Sequence, residues 1–143
     1  MFKYFIIYLS FLLVSCTSEN PICNSNTAIG DINGVEFSLE VACSEDDKRQ
    51  GLMYRNTLAR DSGMIFVYDK ADYYAFWMKN TNIPLSIAFL DENKKIVDIF
   101  DMKPHDLTPM ATKEKAIYVI EMNLGWFDDN KIRIGDQLKF IKA

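Results

Sequence analysis

The segment between Asn33 and Val41 constrains the fold more than any other part of the sequence. From Val35 onward, apolar and polar residues alternate strictly, which is typical of a β-strand that buries one face. The Asn33-Gly34 pair directly before this strand favours a two-residue hairpin turn, because both residue types accept the positive φ angles that such a turn requires. We therefore predict a β-hairpin in which residues 28–32 form the first strand.

Further short segments are rich in β-branched and aromatic residues and predict more strands. They are Met64–Tyr68, Tyr74–Lys79, Leu85–Asp91, Lys95–Met102, Ala116–Met122 and Gln137–Lys142. The predicted fold class is mainly β (β-rich α+β), a compact antiparallel β-barrel or sandwich of seven to eight short strands with one short helix.

The short helix is predicted near residues 44–53, and a single helical turn over 124–130. Ser44 is a good N-cap, acidic residues fill the first turn after it, and Gly51 is a common helix stop. The stretch 103–113 shows no periodicity, and unstructured loops of this length are often binding loops.

The first residues predict export and attachment to a membrane. Lys3 precedes an apolar run from Phe5 to Val14, which is the layout of a secretory signal and is short for a membrane span. Leu13-Val14-Ser15-Cys16 resembles the bacterial lipobox, in which the cysteine receives lipid and becomes the new N-terminus. The alternatives are an ordinary secretory signal with a chance cysteine, or an uncleaved anchor.

On this interpretation the chain is a lipoprotein precursor of the cell envelope. Residues 1–15 form a signal peptide, 16–27 a polar tether carrying acyl chains such as palmitate on Cys16, and 28–143 a single β-rich domain. Two or three acyl chains hold a protein stably on a bilayer, whereas one barely does. The domain would lie on the periplasmic side of the outer or inner membrane, or on the cell surface of a Gram-positive organism; Thr17 in place of Asp favours the outer membrane.

Charge and motif content limit the classes of partner. The chain carries a net charge of −4, and loss of Lys3 with the signal would leave about −5, which argues against nucleic-acid binding. His105 is the single histidine and no cysteine cluster compensates, so no metal site is predicted. The sequence shows no phosphate loop or dinucleotide fingerprint, so no cofactor is expected, and the domain is expected to be monomeric.

Cys23 and Cys43 remain once Cys16 carries lipid. Outside the cytoplasm, a bridge between them would close a loop of about 20 residues and would contribute about 3 kcal/mol. The alternative is two free thiols, with Cys43 as a small apolar core residue.

Several stretches together resemble domain-of-unknown-function family 192, which comprises small exported or membrane-tethered prokaryotic domains. They are Gly51–Arg55, Gly63–Val67, Phe76–Thr81 with Ile83–Leu85, Ile87–Asp91, Tyr118–Glu121 and Gly135-Asp136, within a match from about Val35 to Phe140. The resemblance implies an antiparallel β-domain with a short helix and leaves the activity open. Family members usually carry an acid after the Pro-Leu pair, where this chain has Ser86.

The segment Phe76–Thr81 is the leading candidate for binding. In a strand, Trp77 and Lys79 would share one face, and an indole beside an ammonium suits a carboxylate or a sugar. With Asn80 leaving the strand, these side chains predict a recognition surface. The alternative is a core tryptophan, a snorkelling lysine and a turn formed by Asn80 and the residues after it.

Other candidate residues are more scattered. Arg55 offers a bidentate contact to an anion, or a structural pair with a nearby acid. Asp98 and Glu121 each place a carboxylate in an apolar strand, where it either faces solvent or has a shifted pKa. His105 lies in the 103–113 loop.

These observations favour a non-enzymatic, lipid-anchored accessory module that binds an envelope ligand or protein through Arg55, Trp77, Lys79, Asn80 and the 103–113 loop. One alternative is an envelope enzyme acting on glycan or peptide, with Asp98 or Glu121 as the acid/base residue beside Lys79. Another is a structural subunit of an envelope complex. A cleft with convergent carboxylates would favour the enzyme.

Overall fold

A computed structural model describes residues 20–142. Within that range the chain forms nine strands, two short helices (α1 Glu45–Gln50, α2 Trp126–Asp129) and a 3-10 turn at Pro21–Asn24. The strands are β1 Thr27–Ile32, β2 Val35–Ala42, β3 Ser62–Asp72, β4 Ala75–Phe76, β5 Leu85–Leu90, β6 Ile96–Met102, β7 Met110–Ala111, β8 Ala116–Asn123 and β9 Lys139–Lys142. The prediction of a mainly β domain with few, short helices is confirmed.

Seven strands form one sheet in the order β6-β5-β8-β3-β2-β1-β9, and β4 and β7 pair separately. Most neighbours are antiparallel, but β2 and β3 run parallel because α1 and the loop after it cross between them. The predicted closure into a barrel is wrong. The sheet stays open, with β6 and β9 as its edges. An isolated bridge pair joins Lys95, just before β6, to Gln137, just before β9.

The hairpin prediction is confirmed in detail. Asn33 and Gly34 have φ angles of 57° and 83°, so both adopt the left-handed conformation of the tight turn, and Ile32 pairs with Val35 across it. The alternation in β2 points Phe37 and Leu39 into the interior.

Both faces of the central strands are buried, and each face has its own core. In β3, Ile65 and Val67 belong to the first core, which α2 covers with Trp126 and Phe127. The second core contains apolar residues of β3, β5 and β8 and is covered by loop residues, including Leu52, Met78 and Ile83. All six residues of β5 are buried, which explains why this strand is apolar at every position except Ser86 and does not alternate.

The helix prediction is also confirmed. The Ser44 side chain accepts a hydrogen bond from the backbone N–H of Asp47 at 3.1 Å. Gly51 ends α1 with a φ of 48°, a conformation that favours glycine. Within residues 20–142, neither helix combines the length and the apolar character needed to span a bilayer.

A disulfide joins Cys23 in the 3-10 turn to Cys43 after β2, with the two Cα atoms 5.8 Å apart. The prediction of a bridge is therefore confirmed, and it fixes the start of the domain to the end of β2. The Asn20 side chain adds a hydrogen bond of 2.8 Å to the Tyr118 hydroxyl. The predicted signal peptide, Cys16 and the tether up to residue 19 lie outside the described residues.

Candidate functional site

The segment 76–81 does not continue as a strand, so the predicted strand Tyr74–Lys79 is wrong beyond Phe76. The chain turns at Asn80, which has a φ of 54°. Loop contacts replace the ladder, because the Met78 N–H donates to the Asp106 carbonyl at 2.8 Å. The turn buries Met78 and leaves Trp77 46% exposed, so Trp77 is not the core tryptophan of the alternative interpretation.

Trp77 lies at the mouth of a cleft of about 410 Å³. This volume falls within the range of small-molecule sites. Four elements form its walls: α1 with the turn after it, β3, the 75–81 segment, and β8. The lining residues are Lys48, Arg49, Gln50, Gly51, Leu52, Met53, Phe66, Tyr68, Ala75, Phe76, Trp77, Lys79, Asn80, Thr81 and Glu121. Four candidates from the sequence (Trp77, Lys79, Asn80, Glu121) therefore meet in one place.

Glu121 forms part of the floor of this cleft. It lies in β8 opposite Met64 of β3 and Ile87 of β5, in the second core, and is 5% exposed. No hydrogen bond or ion pair of its side chain is found within residues 20–142. Since no fully buried side-chain oxygen or nitrogen in that range lacks a partner, the Glu121 carboxyl reaches the open space of the cleft. Burial raises the pKa of the Glu121 carboxyl from 4.5 to about 8. At neutral pH the floor therefore presents a neutral carboxylic acid, which can both donate and accept a hydrogen bond.

Tyr68 of β3 adds a second, half-buried polar group to the lining. Its ring stacks on Tyr74 with the centroids 3.6 Å apart, and the Lys48 ammonium lies 4.7 Å from its centroid. Burial, followed by the charges of neighbouring acidic groups and Tyr74, raises the pKa of the Tyr68 hydroxyl, which therefore stays protonated. Sequence analysis missed Lys48 and Tyr68, because nothing in the local pattern brings a helix lysine over a strand tyrosine.

The cations around the cleft differ in their partners. On α1, Lys48 and Arg49 each form an i,i+3 ion pair at 2.7 Å, with Glu45 and Asp46 respectively. Lys79 has no carboxylate partner among residues 20–142, and its ammonium lies 5.2 Å from the centroid of the Trp77 ring. Lys79 is therefore the cation most available to a ligand.

Asn80 and Tyr54 hold one side of the mouth. The Tyr54 N–H donates to the Asn80 carbonyl at 2.8 Å, and the Asn80 amide donates to the Tyr54 hydroxyl at 2.9 Å. Both residues have positive φ angles, of 54° for Asn80 and 64° for Tyr54. Asparagine tolerates this conformation well, so part of its role here is to form the turn.

The other candidates lie away from the cleft. The Arg55 guanidinium forms a bidentate pair with Glu40 of β2, and this hydrogen bonding lowers the pKa of the Glu40 carboxyl. Asp98 lies in the edge strand β6, opposite Phe89. His105 is exposed in a turn, where its backbone N–H donates to the Thr81 carbonyl. No group of three or more potential metal ligands exists within the described part of the chain.

Ser86, the residue after the Pro-Leu pair, lies on the opposite face of the sheet from Glu121. Its neighbours Leu85 and Ile87 belong to the second core, whereas the next residue on its own side, Ala88, belongs to the first. The buried Ser86 hydroxyl donates to Asp101 at 2.5 Å and accepts from the Gly125 N–H at 2.8 Å. It therefore ties β5 to β6 and to the start of α2, and takes no part in the cleft.

Two solved structures are similar to this fold. A protein of unknown function from Novosphingobium aromaticivorans DSM 12444 superposes with a TM-score of 0.75 and 29% identity, over 84% of this chain and 89% of that one. A protein from Sinorhizobium meliloti 1021, provisionally designated a transcription regulator, gives a TM-score of 0.77 and 28% identity, over 80% and 93% respectively. A family model, DUF192, described as an uncharacterized ACR, matches residues 28–140. No curated protein matches the sequence.

Proposed function

This chain belongs to the DUF192 family, whose description names no activity, and we propose that it serves as a lipid-anchored binding module of the cell envelope that takes a small ligand in the cleft beneath Trp77. Binding without catalysis is the function that the geometry supports best. The observation that carries it is a neutral carboxylic acid, without a hydrogen-bond or ion-pair partner among residues 20–142, at the floor of a 410 Å³ cleft with a half-exposed indole at its mouth.

A carboxyl that lines a cleft without a protein partner is available to a ligand. The Glu121 carboxyl has no hydrogen-bond partner within residues 20–142, and its burial favours the protonated form. A ligand hydroxyl can therefore take the place of cleft water as its hydrogen-bond partner. If Glu121 only filled space in the core, leucine or methionine at this position would stabilise the fold more.

The carboxyl count favours binding over glycan hydrolysis. Glycosidases generally use two carboxyl groups on opposite sides of the scissile bond. Glu121 is the single acidic residue among those that line the cleft, and Asp98 lies on the edge strand β6. The designation of the Sinorhizobium protein as a transcription regulator does not extend to this chain in our proposal, because a net charge of −4 opposes nucleic-acid binding.

The binding function is tested by asking whether the cleft holds a ligand in the native host. The full lipoprotein is purified in detergent from its own organism and analysed by native mass spectrometry. Ala75→Trp places an indole in the cleft lining. Tyr73→Trp places one at an exposed position two residues earlier, which does not line the cleft. We expect wild type and Tyr73→Trp to carry an added mass that denaturation releases, and Ala75→Trp to lack it. An equal mass on Ala75→Trp, or none on wild type, contradicts the proposal.

The lipid anchor rests on the lipobox-like sequence ending at Cys16, and the disulfide is consistent with an oxidising compartment. Cys16→Ser is expected to abolish labelling by radioactive palmitate and to release the protein from the membrane fraction or leave it unprocessed. Cys43→Ser serves as the control, because it removes a different cysteine and should keep the label. A processed Cys16→Ser protein that still fractionates with membranes would refute the anchor.

A further inference from the structure

We propose that the ligand of this cleft is an acidic sugar, with its ring against Trp77, its carboxylate beside Lys79 and a hydroxyl group hydrogen-bonded to Glu121. This inference rests on the proposed binding function and names the ligand class. Three features of the cleft support it: the charge at the mouth, the exposed ring surface, and the chemistry of the floor.

The charge at the mouth excludes a cationic ligand. Two aromatic rings that would otherwise attract a ligand ammonium already have a lysine close to them, Lys48 by Tyr68 and Lys79 by Trp77. Glu45 pairs with Lys48 and Asp46 with Arg49, so within residues 20–142 Lys79 is the cation of the lining without a carboxylate partner. An exposed ammonium without a carboxylate partner favours an anionic group at the mouth.

The ring surface calls for an amphipathic ligand. Trp77 is 46% exposed and lines the cleft, so its indole offers an apolar surface that a sugar ring can cover with its C–H face. A purely apolar ligand would also cover this surface. It would, however, leave the Glu121 carboxyl without a polar partner.

The floor selects a neutral hydroxyl. A protonated carboxyl offers one donor and further acceptor capacity, which matches a group that itself both donates and accepts. A ligand carboxylate at the floor would lie in a buried, apolar setting, whereas at the mouth it meets Lys79 in a more exposed position. The charged group of the ligand is therefore assigned to the mouth and its hydroxyl groups to the floor.

Binding should weaken as the pH rises through the pKa of Glu121, about 8, because ionisation would place a second negative charge near an anionic ligand. The titratable and charged groups around Glu121 are Lys48 and Arg49 from α1, Tyr68 from β3 and Lys79 from the segment after β4. Tyr68 stays neutral through this range because burial raises its pKa.

The test measures the affinity of the full lipoprotein in detergent for three probes, by calorimetry and tryptophan fluorescence. Glucuronate carries the ring and the charge, glucose the ring alone, and N-acetylalanine the charge alone. We expect glucuronate to bind about tenfold tighter than glucose, with N-acetylalanine weaker than both. Lys79→Ala and Lys79→Gln should make the affinities for glucuronate and glucose equal. Lys113→Ala, at an exposed position, should keep the tenfold preference for glucuronate.

Glu121→Gln tests the pH dependence of binding, a property that a purely structural role of Glu121 would not affect. It keeps a neutral donor and acceptor at the floor, so glucuronate affinity at pH 7 should change less than about threefold while the decline above pH 8 disappears. Equal binding of glucose and glucuronate by wild type, tighter binding of N-acetylalanine, or unchanged selectivity in both Lys79 variants overturns the acidic-sugar assignment. The released mass seen by native mass spectrometry would still support the binding function in each of these cases.

Discussion

The buried acid at the floor of the cleft gives the sharpest prediction. Replacing Glu121 by Gln should make the stability of the domain less dependent on pH. In the folded protein the carboxyl titrates near pH 8 because it is buried, whereas in the unfolded chain it titrates near its ordinary value of 4.5. Between these two values the unfolded chain releases a proton that the folded chain retains, so rising pH favours unfolding of the wild type.

The size of the effect follows from the distance between the two pKa values. Each step of one in pKa corresponds to about 1.36 kcal/mol, so moving from 4.5 to about 8 amounts to about 5 kcal/mol when the group is fully ionised. The stabilising contribution is fully present below about pH 4.5 and is lost as the pH rises to about 8. Between pH 5 and pH 8 the expected loss is about 3 kcal/mol.

The assay is urea unfolding of wild type and Glu121→Gln at half-unit steps from pH 5 to 8.5, with the disulfide kept oxidised. The two proteins should be close in stability at pH 5, where both side chains are neutral. At pH 8 the free energy of unfolding of Glu121→Gln should exceed that of the wild type by about 3 kcal/mol. Glu114→Gln, at an exposed position, is the matched control and should follow the wild type. Parallel curves for wild type and Glu121→Gln would show that the folded carboxyl is ionised at neutral pH, and the neutral floor would be refuted.

Three further predictions concern stability. Trp126→Ala should lower the free energy of unfolding by about 3–5 kcal/mol because this indole is buried. Trp77→Ala should lower it by less than about 1 kcal/mol because its indole is half exposed. Equal losses in urea unfolding would contradict the burial of Trp126 and the exposure of Trp77. Reducing the Cys23–Cys43 bridge should cost about 3 kcal/mol, and an unchanged melting temperature would argue against it. Arg55→Ala should cost no more than about 1 kcal/mol and leave glucuronate binding intact, since its ion pair is partly exposed and outside the cleft; a loss of binding would return Arg55 to the site.

Local patterns in the sequence were sufficient for most of the secondary structure. The Asn33-Gly34 hairpin, the Ser44 cap and the short apolar runs each depend on neighbours within a few residues, so their physics can be read without a tertiary fold. The disulfide was also predictable, because only two cysteines remain after Cys16. Strand direction was not, and the parallel pairing of β2 with β3 followed from the crossover through α1.

The residues of the candidate site were also predicted in part, but their arrangement was not. Trp77, Lys79 and Asn80 were predicted because aromatic, cationic and amide residues adjoin one another in the sequence. Their arrangement was wrong, since loop hydrogen bonds such as that from Met78 to Asp106 replace the expected strand ladder.

The sequence by itself determined a β-rich fold, the two cysteines available for a bridge and the residue types of the candidate segment Phe76–Thr81, because these depend on composition and short-range periodicity. Only the tertiary structure decided which polar residues meet. Glu121 became the floor of the cleft because β8 lies inside the sheet, between β5 and β3, and packs beneath residues that are about 40–70 positions earlier in the chain. Asp98, an equally plausible carboxylate by its local pattern, remained outside because β6 is an edge strand. The pKa of a carboxyl depends on what surrounds it in space, and that information is distributed over the whole chain.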